Sequence, residues 1–155
     1  FSEIAANGVD SNSYVDSAGI LPSTIYCYRV RAVKSASCGW DSGYSDTACD
    51  ITIQAAATDL TATAVNSMMI RLDWIDNADD EEAYEIYQQV WNGAYVLMDT
   101  LPPDSFTYTK TFGLEPDTDY TFKVRTVRGA DFSGFSNEAL ATTPAWTAGD
   151  GTCQE

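Results

Sequence analysis

The chain has 155 residues, enough for one domain or two small ones, and 45% of them are hydrophobic, so a packed core is within reach. Twenty-three acids against eight bases give a net charge of −15, which argues against nucleic acid or an anionic membrane surface as partner, because both need clustered Lys and Arg. Histidine is absent, which excludes Ser-His-Asp and Cys-His catalysis and His-ligated zinc or haem. No apolar run approaches the roughly 20 residues of a membrane helix. Four Trp and nine Tyr, with many Thr and Val, favour strands over helices.

The chain opens on Phe1-Ser2-Glu3-Ile4, without Met and without a signal-peptide pattern, so a leader and further sequence are expected upstream. Residues 20–33 (ILPSTIYCYRVRAV) alternate: Tyr26, Tyr28, Val30 and Ala32 face one way, and Cys27, Arg29 and Arg31 the other. Period two predicts a strand with one buried face. Residues 58–64 predict another strand. Residues 68–75 predict a third, with Met68, Ile70, Leu72 and Trp74 on one face. After the polar break Asp76-Asn77-Ala78-Asp79-Asp80, residues 83–90 predict a strand with Tyr84 and Ile86 inward. Asn92-Gly93 predicts a hairpin, because both residues tolerate positive φ. Pro102-Pro103-Asp104 is a further break; residues 106–111, 114–127 and 136–143 complete seven strands.

Residues 114–127 (LEPDTDYTFKVRTV) repeat residues 20–33 at an offset of 94, pairing Pro22 with Pro116, Tyr26 with Tyr120 and Val30 with Val124. Ser42-Gly43-Tyr44-Ser45-Asp46 then aligns with Ser133-Gly134-Phe135-Ser136-Asn137 at an offset of 91. A repeat of this length suits tandem sandwich domains rather than a solenoid.

Trp74 on the second strand, Tyr84 on the third and the L-x-P-x-T-x-Y-x-F-x-V run from Leu114 to Val124 carry a resemblance. Gly134-Phe135-Ser136-Asn137 and Thr142-Thr143-Pro144 add to it. Residues 58–144 resemble a fibronectin type III domain, and residues 72–87 (LDWIDNADDEEAYEIY) resemble the version found in secreted microbial proteins. The resemblance implies an all-β, immunoglobulin-like sandwich, with one complete copy at 56–144 and the C-terminal half of another at 1–55. Residues 145–155 read as a linker or the start of a further segment. It implies a core built on Trp74, Tyr84, Leu114, Tyr120 and Tyr26, with Tyr120 placed as a tyrosine corner. The half copy lacks its first strands, which leaves Tyr26, Tyr28 and Val30 facing water; upstream sequence or a strand from another chain are the two ways to complete it.

Cys27, Cys38, Cys49 and Cys153 have no metal or haem spacing, and they fit an oxidising, extracellular setting. A Cys38–Cys49 bond is expected, pinning the longer loop of the first copy, with Cys27 and Cys153 left for other domains or chains. In the acidic loop (Asp76, Asp79, Asp80, Glu81, Glu82), calcium is the candidate ion and Asp76, Asp79, Asp80 and Glu82 the candidate ligands. A solvated turn explains the same residues. No cofactor is otherwise expected.

Arg128-Gly129-Ala130-Asp131 stands where some animal relatives carry Arg-Gly-Asp, and Ala130 interrupts it. Trp40, Tyr44, Trp91, Tyr95 and Trp146 are candidates for stacking on sugars. Carboxylate pairs are plentiful, but a small sandwich leaves no room for a glycosidase cleft. The expected function is a non-catalytic structural or adhesive module of a secreted microbial surface protein, part of a filament or sheath. The alternative is an accessory spacer or carbohydrate-binding module of a large secreted hydrolase. Expected partners are neighbouring domains or copies of the same protein, and a surface glycan or protein ligand.

Overall fold

Inward aromatic and aliphatic residues at every second position dictate strands, and strands are what the chain forms. The computed structural model describes residues 1–34 and 39–146, which hold ten strands and no helix. It divides into two units, Phe1–Thr52 and Ile53–Glu155. Among the described residues no helix is long and apolar enough to cross a membrane.

The first unit pairs β1 (Ile25–Tyr28) with β2 (Ala48–Ile51), antiparallel, in a two-stranded sheet. Both strands are largely exposed. The second unit has eight strands: β3 (Thr58–Asn66), β4 (Met69–Ile75), β5 (Ala83–Val90), β6 (Val96–Leu101), β7 (Thr107–Lys110), β8 (Asp119–Arg128), β9 (Asp131–Phe132) and β10 (Ala139–Thr142). They form two antiparallel sheets, ordered β3-β4-β7 and β10-β8-β5-β6, with β9 on the end of β8. The alternation in β8 is strict: Tyr120, Phe122, Val124 and Thr126 are buried, and the residues between them are half-buried.

The core between the sheets takes Ile70, Leu72 and Trp74 from β4, Tyr84 and Ile86 from β5, and Tyr120, Phe122 and Val124 from β8. Leu60 and Leu114 belong to the same cluster. The Trp74 and Tyr84 rings lie 5.6 Å apart, tilted by 45°. Burying a side chain of this size contributes roughly 1.5–3 kcal/mol, so these few residues dominate stability. Four of the expected core residues, Trp74, Tyr84, Leu114 and Tyr120, sit in this cluster. Tyr26 lies in the first unit and is half-exposed.

Three expectations are corrected. Met68 is 41% exposed, because Asn66 caps a turn there, accepting the Met68 amide on its side-chain oxygen (2.9 Å) before β4 begins. At Asn92-Gly93 the positive φ falls on Trp91 instead (53°). Its cause is a bulge: Ile86 pairs with Asp99 but Tyr87 with Leu97, so the shifted register brings three residues, not two, into the loop. Finally, Cys49 is bonded to Cys27, not to Cys38. Cys27 and Cys49 are direct partners across the β1–β2 ladder, with Cα atoms 4.0 Å apart, so the bond joins neighbours already held in register. Cys38 and Cys153 lie outside the described residues.

Candidate interaction face and acidic loop

The repeat extends from sequence to hydrogen bonds. In the second unit the Glu115 amide donates to the Tyr120 hydroxyl (2.7 Å), and in the first the Leu21 amide donates to the Tyr26 hydroxyl (2.9 Å). Thr143 accepts the Thr118 amide on its hydroxyl (3.0 Å) and donates to the Glu115 carbonyl (2.6 Å). Thr52 does the same with Thr24 (2.9 Å) and Leu21 (2.6 Å). Two serines complete each set. Ser136 and Ser133 accept the amides of Val124 (3.0 Å) and Thr126 (2.9 Å), as Ser45 and Ser42 accept those of Val30 (3.1 Å) and Ala32 (2.8 Å). The hydroxyls stand in for carbonyls as acceptors and pair these amides where the ladder is interrupted.

The outward face of β8 is a second shared feature. Four of the eight bases (Arg29, Arg31, Lys123 and Arg125) fall on the two repeated stretches, and Lys34 and Arg128 follow directly after them. Lys123 lies between the rings of Tyr95 (3.9 Å) and Phe135 (4.1 Å). Its counterpart Arg29 lies between Phe1 (4.3 Å) and Tyr44 (3.9 Å). Arg125 stacks on Phe132 (3.8 Å), forms an ion pair with Glu85 (2.7 Å) and donates to the Tyr87 hydroxyl (2.8 Å). Cations held between ring faces this way contribute about 0.5–2 kcal/mol each. Burial first, then the hydrogen bond to the Glu85 carboxylate, raises the pKa of the Tyr87 hydroxyl. Burial and the nearby Glu138 push Tyr95 up to about 12. Chemically, this face can stack and hydrogen-bond.

The acidic loop is organised differently from the expected ligand set. Asp80 pairs with Arg128, and Glu82 accepts the Gly129 amide (3.1 Å). Both bonds occupy the Arg128-Gly129-Ala130-Asp131 turn, whose Arg128 is thereby tied to its own domain. Asp79 is exposed. Asp76 accepts the Ala78 amide (3.0 Å) and the Tyr84 hydroxyl. It converges instead with Glu81 and Asp104, each offering one carboxylate oxygen within 4.8 Å of the others. Glu81 is buried and accepts the Asp104 amide (2.7 Å). Calcium takes six to eight oxygens. Here three carboxylates converge, and two of them already accept hydrogen bonds. Burial, then Asp76, raises the Tyr84 hydroxyl well above the ordinary tyrosine range. The role of Asp104 was not legible from spacing, because the partner loops are brought together only by the sheet. The break at Pro102-Pro103-Asp104 was the available signal.

Of the candidate stacking residues, Tyr44 and Tyr95 hold cations, and Trp40 (97%), Trp91 (60%), Trp146 (52%) and Tyr44 itself (51%) are exposed. Trp91 tops the β5–β6 hairpin, where Val90, Ala94, Val96 and Leu97 line an apolar groove of about 290 Å³.

Residues 55–142 match the family profile of the fibronectin type III domain. Among solved structures, the sixth such domain of human fibronectin type III domain containing protein 3 is 17% identical, with a TM-score of 0.55 over 66% of this chain and 97% of that one. The chicken CNTN1 FN1–FN3 domains are 20% identical, with a TM-score of 0.53 over 84% of this chain and 46% of that one. The FN5 domain of Drosophila Lar is 22% identical, with a TM-score of 0.50 over 61% of this chain and all of that one (100%). At these identities the likeness is one of fold. A search of curated protein sequences finds no match.

Proposed function

The chain belongs to the fibronectin type III family, whose domains are generally non-catalytic modules, and from that premise we propose that it is a structural and adhesive module of a secreted microbial surface protein, part of an extracellular filament or sheath. One observation carries this reading. The hydrogen-bond set and cation–ring stack recur in both copies, as expected of a part used in series rather than a scaffold shaped around one reactive centre. A disulfide supports an oxidising exterior, and a net charge of −15 keeps unassembled chains soluble there. Partners of the module are neighbouring domains and copies of the same protein. Electron microscopy and light scattering of the parent protein, taken from the producing cells, test it: filaments or sheets are expected, and a monomer under every native condition removes the filament.

A second reading has its own observation, the exposed Trp91 beside the β5–β6 groove. An aromatic face next to an apolar groove suits a sugar ring, as in an accessory module of a secreted hydrolase. Affinity electrophoresis against neutral polysaccharides tests it: retardation that disappears in Trp91→Ala supports it, and unretarded migration of the parent chain removes it.

A further inference from the structure

The β5–β6 hairpin carries thirteen residues, 86–98, without a charged side chain, the longest such run in a chain of net charge −15. Its surface is apolar and open: Val90 and Trp91 are exposed, as are Val96 (64%) and Leu97 (45%). β6 also lies at the edge of its sheet, pairing with β5 and, among the described residues, with no other strand. We propose that this edge is a contact between copies of the chain, in which β6 of one protomer pairs antiparallel with β6 of its partner about a twofold axis at Leu97. The proposal rests on the reading that copies of this protein are its partners, and it names the surface they use.

Charge selects a second copy as the occupant. Two chains of −15 repel wherever acids face each other, and an uncharged patch is where they can touch. The edge itself is divided. At one end the Asp99 carboxylate accepts the Thr100 amide (2.8 Å), and Pro102 and Pro103 follow, so charge and missing donors guard that half. The half at residues 96–98 has no such guard and offers its backbone to an added strand. A twofold axis at Leu97 sets Val96 against the partner's Met98, and Tyr95 against the partner's Asp99. The two Asp99 carboxylates then stand about 14 Å apart along the strands, beyond the screening length of about 8–10 Å at physiological salt. Beside the edge, Gln88, Val90, Ala94, Val96 and Leu97 line the groove, and the Gln88 side-chain oxygen has no hydrogen-bond partner. An incoming strand brings amides for that oxygen and apolar side chains for the groove. A sugar ring fills the groove but leaves the edge unpaired. A contact one hairpin wide is small, so the pair is weak and depends on concentration.

Sedimentation equilibrium of the full chain across concentration and salt tests this, beside Leu97→Lys, Val96→Lys and Leu140→Lys. A monomer–dimer equilibrium is expected that tightens as salt rises from about 0.01 M to about 1 M, because screening removes repulsion and no ion pair is lost. Leu97→Lys and Val96→Lys should each weaken it by roughly tenfold or more, although each lowers the net negative charge. Leu140→Lys, at an exposed site on β10 at the other edge of the same sheet, should leave it unchanged. All three sites are exposed, so every variant should melt as the unaltered chain does. Amide exchange at residues 96–98 should slow as concentration rises. A chain that is monomeric at every concentration and salt overturns the proposal. So does a dimer that Leu140→Lys breaks or that Leu97→Lys leaves intact. Retardation by a neutral polysaccharide without any dimer assigns the groove to a sugar and overturns it too. Failure of the serial-module reading has a different signature: this chain pairs through β6 while the parent protein forms no filament.

Discussion

A tyrosine hydroxyl that holds an amide five residues upstream is the smallest part the two copies share, and its energetic weight depends on burial. Tyr120 is buried, so Tyr120→Phe leaves the Glu115 amide without an acceptor and costs about 1–3 kcal/mol. Denaturant midpoints should show that loss, whereas Tyr26→Phe, at a half-exposed site where water replaces the hydroxyl, should shift stability by less than about 0.5 kcal/mol. Tyr84 sets the alkaline limit. Its folded ionisation lies above the unfolded value of about 10, so its contribution is complete below about pH 10 and declines as pH rises further. Absorbance titration should find Tyr84 ionising together with unfolding, and Tyr84→Phe should flatten the alkaline slope of stability; reversible ionisation near pH 10 in an intact fold would contradict this. Asp76 and Glu81 act here as hydrogen-bond acceptors that tie the loop. Millimolar calcium should therefore leave the melting temperature unchanged, and a rise of several degrees would show that Asp76, Glu81 and Asp104 gather an ion.

At the scale of strands, the same register is kept by two different means. β8 and β10 align Thr121 with Leu140 and are held by the core; β1 and β2 align Cys27 with Cys49, at the equivalent positions, and are held by a covalent bond. Reduction by a dithiol, which breaks the S–S bond and closes the reductant into its own disulfide, should raise amide exchange across Ile25–Tyr28 and Ala48–Ile51. The melting of the second unit should not move; unaltered exchange in β1 and β2 would show that the hydrogen bonds of Thr24, Tyr26 and Thr52 suffice alone. Strand positions were legible because inward Ile70, Leu72, Trp74, Tyr84 and Ile86 alternate with polar residues, and burial on one face enforces that pattern. The disulfide was equally legible in principle, since the repeat sets Cys27 and Cys49 against a neighbouring pair of the second copy. Loop length drew attention to Cys38 instead. The Trp91 loop was not legible, because the bulge that shifts it comes from β6 pairing, on which Asn92-Gly93 carries no information. The convergence of Asp76, Glu81 and Asp104 was hidden for the same reason: it depends on how distant loops meet at one end of the sandwich.

The whole molecule divides into one closed sandwich in the second unit and a two-stranded first unit whose tyrosine, threonine and serine hydrogen bonds repeat those of the second. In the closed unit a single cluster joins both sheets, so unfolding should be all-or-none, and Leu72→Ala, at a fully buried site, should lower it by about 2–5 kcal/mol. Its stability should be indifferent to reduction of the Cys27–Cys49 bond, which joins β1 and β2 of the first unit. Native-state hydrogen exchange on the full chain probes the distinction between the two units most directly. The amides of Ile70, Leu72, Tyr84, Ile86, Phe122 and Val124 should exchange slowest and together, at the rate set by global unfolding of the second unit, while those of Tyr26, Tyr28 and Val30 exchange much faster. Loop-like rates in the first group, or equal protection of Tyr26 and Tyr120, would contradict the account.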